Sequence, residues 1–358
     1  MSAQDRARTW DSLAAAGLVQ GEPPPPPPRS PWYVRLMQGG SGWVGALFLL
    51  GFAGGTFDFL FENDLGALVA GMGACLVAAL TFRRWPYSDF AGQLGFAVSL
   101  AGQALVAFGL WGLLDERFGA VAALMAVFLA ALFALVPGYL HRVWSAWTSA
   151  FWAWLALLDA GLGPLVPGMY AAAFAWVWLS EPELVRYGDR VQAAGWGLAL
   201  AVAQFPIAGW AIGDLIHLLG AARTPLLSAG ISAAGLALSA AVLLGIVARL
   251  LTREGVSQSS GPAIAALGGA AVLALTTLKA PGLAPAVVIL LVGFAVGSRD
   301  LAGVGVLALL AYLSHYYYAL NATLLDKSLL MMAAGAALLL AYFALRWLWP
   351  RPEGTDHA

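Results

Sequence analysis

Long apolar runs dominate the chain from residue 41 onward and predict helices that cross a membrane. Each run is about 15–25 residues long, which is enough or nearly enough to span a hydrocarbon core of about 30 Å. The pattern predicts an all-α fold, a polytopic integral membrane protein with about twelve transmembrane helices in one bundle. The predicted spans are Gly42 to Phe61, Leu65 to Phe82, Phe90 to Leu114, Ala120 to Val136, Val143 to Ala160, Leu165 to Leu179, Val191 to Ile212, Pro225 to Leu250, Pro262 to Leu278, Leu283 to Gly297, Leu301 to Ala319 and Ser328 to Trp349. The sixth and tenth runs are short and contain or border prolines, so the pattern leaves their ends open.

Segments at the two ends of the chain have a different pattern. Residues 1–40 form a predicted N-terminal arm in which Trp10, Leu13 and Leu18 share one face of a short helix. The unbroken proline run Pro23 to Pro28 favours polyproline II and predicts a semi-rigid spacer. The helical bundle is expected over residues 41–349, and residues 350–358 form a predicted tail.

The distribution of basic residues predicts the orientation of the bundle. With a cytoplasmic N-terminus, fourteen arginines fall in inner connections, and four basic residues fall in outer ones. The positive-inside rule therefore favours twelve helices with both termini in the cytoplasm of a bacterial inner membrane. The four outer residues are Arg117, Arg223, Lys279 and Lys327.

Composition narrows the class of protein further. The chain is 61% hydrophobic and 10% charged, which excludes an ordinary water-soluble domain. A net charge of -1 provides no basic excess for binding nucleic acid, and the lipid bilayer is the predicted environment. Because Cys75 is the single cysteine, an intrachain disulfide is excluded.

Acidic residues collect at the predicted outer ends of the odd-numbered helices. Asp64 is predicted to be the N-cap of the second span, and Asp115 with Glu116 is predicted to cap the fourth. Asp58 and Asp214 instead lie within apolar sequence, about one turn inside the expected boundary. Glu62 follows Asp58 by four residues and His217 follows Asp214 by three, which places each pair on one helix face.

Ionisable groups at such depth are costly unless they are paired or face water. Asp58, Glu62, Asp214 and His217 are therefore a candidate site for an ion or a proton. The alternative is that these four side chains merely border the membrane interface.

A second polar cluster follows the eleventh span and contains His315, Tyr317, Tyr318, Thr323, Lys327 and Ser328. At least one of the consecutive tyrosines should face the bundle, while others can lie in the interfacial aromatic belt. Lys327 lies on the predicted outer side, where the positive-inside rule expects few basic residues. We therefore predict that it has a carboxylate partner such as Asp58 or Asp214.

Short motifs for several chemistries are lacking in the sequence. It contains no phosphate loop of the GxxxxGK[ST] type, no HExxH and no GxSxG, and its four histidines lack metal-ligand spacing. His141 is predicted to lie beside Arg142 in an inner loop. No cofactor and no metal are predicted, and neither is an ATP-driven pump.

Three segments resemble a bacterial multispanning family that is known only as domain of unknown function four-four-zero-one. They are Trp10 to Gly21, Ser30 to Phe52, and Tyr316 to Gly335. The C-terminal match is the more specific, and Met331 stands at its usual leucine position as a departure. The resemblance implies a bacterial inner-membrane protein without an assigned activity. It also implies a smaller membrane-anchored neighbour that bears a GDYxxLxY motif.

Three functions remain open from the sequence. The first is a secondary transporter or permease for an unknown solute or ion, with its site at Asp58, Glu62, Asp214 and His217 near a broken helix. The second is a non-catalytic subunit of an envelope membrane complex with the small membrane-anchored partner. The third is a membrane-embedded enzyme that acts on a lipid-linked substrate, which predicts a lateral opening with several carboxylates and a cation.

Overall fold

The computed structural model describes residues 63–86, 88–180, 188–211, 225–276 and 283–319, with scattered residues between 10 and 51 and between 325 and 343. Side chains of residues 206–229, 315, 316, 318 and 319 are outside this description. The five continuous segments contain ten α-helices. These are α1 (Asp64–Arg84), α2 (Asp89–Leu113), α3 (Phe118–Leu135), α4 (Tyr139–Asp159), α5 (Val166–Leu179), α6 (Asp189–Ala211), α7 (Pro225–Arg253), α8 (Gly261–Thr276), α9 (Leu283–Val296) and α10 (Arg299–Ala319).

Each helix corresponds to one predicted apolar run, from the second to the eleventh, with ends that agree within a few residues. The first and twelfth predicted spans lie outside the continuously described segments. Within the described segments, four helical stretches are long and apolar enough to cross a membrane, namely α1, α2, α3 and residues Gly230–Arg253 of α7. The described part of the protein is thus all-helical, with helices typical of a membrane protein, and twelve crossings stay a prediction.

Prolines near the first residues of α5 and α9 explain why the sixth and tenth apolar runs are short. Before α5, the chain forms a 3-10 turn over Gly163–Leu165, and Pro167 occupies the first turn of α5. Proline lacks a backbone N–H, so it is tolerated at the start of a helix where that donor has no partner in the helix. In α9, Pro285 lies likewise near the first residue, Leu283.

Two predicted helix caps are wrong in the structure. Asn63, and not Asp64, is the N-cap of α1, and its side chain accepts a hydrogen bond from the Leu65 N–H at 3.0 Å. Before α3, the residue at the N-cap is Arg117, which makes no capping bond through its side chain. Asp115 and Glu116 have φ angles of 48° and 61°, and the Glu116 N–H donates to the Trp111 carbonyl to close the end of α2. They terminate one helix and do not cap the next.

Helices α1 and α2 make a close pair because glycines remove side chains from their contact. A Cβ atom on Gly71 would lie 2.7 Å from both Gly102 O and Val106 N of α2. A Cβ on Gly102 would in turn lie 2.7 Å from Cys75 Sγ. Small residues at such contacts let membrane helices approach with their backbones.

Three clusters of buried apolar side chains lie along the described segments. The first joins α1 to α3 around Val106, Met125 and Leu129. A smaller one joins α3, α4 and the start of α5 around Ala122 and Trp154. The largest lies among α5, α6, α7, α9 and α10, and its centre includes Phe174, Leu243, Ile289 and Leu301.

Candidate functional site

Most residues of the predicted polar sites lie outside the described residues. These are Asp58, Glu62, Asp214, His217, Thr323 and Lys327. The predicted partner of Lys327 lies outside them as well.

The described members of the second polar cluster are distributed over α10 and a position beyond it. His315, Tyr317 and Tyr318 lie in the last two turns of α10, and the Tyr317 side chain is half-buried. Ser328 is exposed, and its hydroxyl donates to the Leu325 carbonyl at 2.8 Å. The other side chains of this cluster lie outside the described residues, so the cluster stays a prediction.

A buried polar chain that the sequence did not predict connects α2 to α4. On α2, Ser99 and Gln103 are one turn apart, and on α4 His141 and Ser145 are also one turn apart. Spacing of four residues puts each pair on one helix face. Ser99, His141 and Ser145 are at most 1% exposed, and Gln103 is 7% exposed. We call the set Ser99, Gln103, His141, Trp144 and Ser145 the His141 chain.

Hydrogen bonds connect every member of the His141 chain. Trp144 Nε1 donates to Gln103 Oε1 at 3.2 Å, and Gln103 Nε2 donates to Ser99 Oγ at 3.1 Å. Ser99 Oγ lies 2.9 Å from His141 Nε2. On the other side of the ring, Ser145 Oγ lies 3.3 Å from His141 Nδ1. Both ring nitrogens therefore face a hydroxyl, and a hydroxyl can donate or accept.

Aromatic rings enclose the imidazole above this chain. The rings of Phe82 on α1 and Phe96 on α2 contact His141 edge to face, with centroid distances of 5.4 and 6.2 Å. A Cβ on Gly138 would lie 2.9 Å from the Phe82 ring, so glycine is needed at this position to seat Phe82 against His141. The ring is consequently enclosed by α1, α2 and α4, away from solvent.

Two tryptophans connect the His141 chain to a third helix, α6. Trp144 contacts Trp147 edge to face at 5.3 Å, and Trp147 Nε1 donates to Gln204 Oε1 of α6 at 3.1 Å. Gln204 Nε2 is buried and has no hydrogen-bond partner among the described residues. A buried donor without a partner costs free energy, and a water molecule or a polar ligand could satisfy it.

Basic side chains lie near the first turn of α4, next to His141. Arg142 follows His141 directly, and its Nε is buried with no hydrogen-bond partner in the described part of the chain. Arg190 and Asp189, in the first turn of α6, are close enough to Arg142 for electrostatic interaction. The predicted placement of His141 and Arg142 in a loop is therefore wrong, because α4 begins at Tyr139 and His141 is fully buried.

A sequence signal for the His141 chain did exist. The pairs Ser99 with Gln103 and His141 with Ser145 both show the i, i+4 spacing of a polar helix face. Neither pair is acidic, so neither belongs to a pattern of intramembrane carboxylates. Their meeting depends on how α2 and α4 are rotated, which hydropathy does not specify.

The His141 chain can bind polar groups and pass protons, and its residue types do not suggest a metal site. Across the described segments, no group of three or more His, Cys, Asp or Glu side chains is placed to hold a metal ion. A neutral imidazole has one donor and one acceptor nitrogen, and hydroxyl partners allow these roles to exchange.

Comparison with known proteins identifies a family and no more specific relative. No curated protein and no solved structure shows significant similarity to the chain. One family model, described as Domain of unknown function (DUF4401), matches residues 31–347. Because this match covers most of the chain, the protein belongs to the DUF4401 family.

Proposed function

We propose that this protein is a proton-coupled secondary transporter or permease of a bacterial inner membrane, in which the His141 chain conducts the proton. The single observation that carries the proposal is the fully buried His141 with a hydroxyl at each ring nitrogen. Ionisable groups among apolar helices are costly, and they mark ion and proton pathways by default. A purely apolar packing at this position would avoid that cost.

The chemistry of the step follows from the imidazole. A proton accepted at one ring nitrogen while the other nitrogen releases its own crosses the ring without moving the side chain. Ser99 and Ser145 are the next hydroxyls on the two sides. Gln103, held by Trp144, orients the Ser99 hydroxyl through its amide donor.

The same proposal includes the topology that the charge pattern predicts. Twelve crossings with both termini in the cytoplasm would place the arginines near His141 on the cytoplasmic side. The residues Asp58, Glu62, Asp214 and His217 would then lie at the opposite end, where they would receive or release the proton.

Proton flux into liposomes tests the proposal. The purified protein is reconstituted into liposomes that contain a pH-sensitive dye. A potassium diffusion potential drives protons inward. Flux is measured with and without deproteinised host extract outside the liposomes. We expect wild-type flux above that of protein-free liposomes, and His141→Gln and Ser145→Ala should lower it at least about tenfold. The matched control is Ser149→Ala on the same helix, because the Ser149 hydroxyl donates to the Ala126 carbonyl and is outside the His141 chain. Wild-type flux equal to the protein-free value, or unchanged flux in His141→Gln, would reject the proposal.

A second candidate function is the subunit of an envelope membrane complex. It is supported by exposed apolar side chains among the described residues near the C-terminal end of the family match, Leu325, Leu329, Met332 and Leu339, which we call the stripe. The proposed partner is a small membrane-anchored protein of the GDYxxLxY type, whose helix would pack on this stripe.

Co-purification in mild detergent tests this second candidate. A stoichiometric small membrane protein is expected with the wild type, and Leu325→Trp combined with Met332→Trp should remove it. Leu275→Trp is the control, because Leu275 is equally exposed on α8. Retention of the partner by the double variant would show that the stripe is not its binding surface.

A further inference from the structure

An apolar groove with a basic end runs along the last turns of α1. It is a wide, open depression with a volume of about 510 Å³, and its described lining is Val77, Leu80, Thr81, Arg83, Arg84 and Trp85. Val77, Leu80 and Trp85 are each more than half exposed. The Thr81 hydroxyl donates to the Val77 carbonyl at 2.8 Å, so this polar group is directed to the backbone of its own helix.

The two arginines occupy one end of this groove. Arg83 Nη2 donates to the Leu135 carbonyl at the end of α3, at 3.2 Å, which fixes the guanidinium beside the groove. The Arg84 guanidinium lies 5.7 Å from the centre of the Trp85 ring. The described lining contains no carboxylate, so the end of the groove is positively charged.

The groove combines the two features that bind an anionic phospholipid. Helix α1 is long and apolar enough to cross a membrane, and its exposed apolar face would then contact acyl chains. Val77 and Arg84 are seven residues apart, which is about 10 Å along a helix. An acyl chain on the apolar part would therefore bring its phosphate to the two guanidiniums, which bind phosphate oxygens through charge-assisted hydrogen bonds.

We propose that this groove is a binding site for a single anionic phospholipid, with the headgroup phosphate on Arg83 and Arg84 and an acyl chain along Val77 and Leu80. The site is independent of the His141 chain and of the proposed transport. It would link the end of α1 to the end of α3 through Arg83, which contacts both the lipid and Leu135.

Lipid retention measured by native mass spectrometry tests the site. The full-length protein is released from nanodiscs that contain phosphatidylglycerol and phosphatidylcholine in equal amounts. We expect the wild type to retain phosphatidylglycerol selectively, and Arg83→Gln combined with Arg84→Gln should weaken that retention roughly 30-fold. Each arginine near an anionic lipid surface contributes a factor of about five. The charge control is Arg253→Gln, an exposed arginine at the end of α7, which should retain the lipid as the wild type does.

A second variant keeps both arginines and fills the apolar part. Leu80→Trp should reduce retention of phosphatidylglycerol, whereas Val69→Trp, at an equally exposed position two turns or more away on α1, should not. The proposal is overturned if the wild type retains the two lipids equally, or if it retains neither because a segment of the chain itself fills the groove. It is also overturned if Arg253→Gln loses as much retention of phosphatidylglycerol as the double variant.

Discussion

Gly71→Leu is expected to separate α1 from α2 and to lower the free energy of unfolding by at least about 3 kcal/mol. The atoms that a Cβ on Gly71 would meet at 2.7 Å, Gly102 O and Val106 N, belong to the backbone of α2. No side-chain rotation can relieve such a clash, so the helices must move apart. Association of membrane helices depends on close packing and not on exclusion of water, so this contact has no substitute.

The matched control lies two residues away on the same helix. Gly73 is exposed, and a Cβ there would meet no atom within 4 Å, so Gly73→Leu should be nearly neutral. Thermal unfolding can be followed with a thiol-reactive dye, since Cys75 is the single cysteine and is 3% exposed in the folded protein. We expect Gly71→Leu to lower the Tm by at least about 4 °C. Equal melting of the two variants would contradict the close contact of α1 and α2.

Phe174→Ala is expected to cost about 3 kcal/mol by opening a cavity in the largest core cluster. Phe174 on α5 is fully buried and packs among α6, α7 and α9. Its ring lies 6.4 Å from that of Trp178, centre to centre. The loss comes from van der Waals contacts that the surrounding helices cannot restore without moving.

Trp176→Ala on the same helix is the control for this second substitution. Trp176 is 56% exposed. Removing its ring deletes more atoms than Phe174→Ala does, but it removes fewer contacts with the protein, so the loss of stability should be smaller. Thermal loss of helical circular dichroism measures both variants, because Cys75 lies in another cluster and does not report on α5. Destabilisation by Trp176→Ala as large as that by Phe174→Ala would show that burial at this position does not determine stability.

Helix positions were the part of the fold most accessible from sequence. The run Leu283 to Gly297 became α9 over Leu283–Val296, and Val191 to Ile212 became α6 over Asp189–Ala211. A long apolar segment must satisfy its backbone hydrogen bonds within itself, so hydropathy and helix coincide. The caps were less accessible, because Asn63 and Asp64 are both good capping residues and only the backbone conformation distinguishes them.

The candidate site was less accessible from sequence than the helices. The sequence pattern indicates carboxylates such as Asp58 and Asp214, which lie outside the described residues, so that site stays a prediction. The site that the structure does describe is built from neutral polar groups and one histidine, and a helix of this composition still has an apolar average. His141 next to Arg142 resembled a loop because two polar residues in sequence lower the local hydropathy.

By itself, the sequence determined that the chain is helical and suited to a membrane, and it determined where ten helices of the described segments lie. These properties depend on composition and on contacts along one helix. Only the tertiary structure decided that Ser99 and Gln103 meet His141, that Gly71 meets Gly102, and that Arg83 reaches Leu135. Such contacts depend on the rotation and tilt of one helix against another, and many arrangements of the same apolar helices would satisfy their hydropathy equally well.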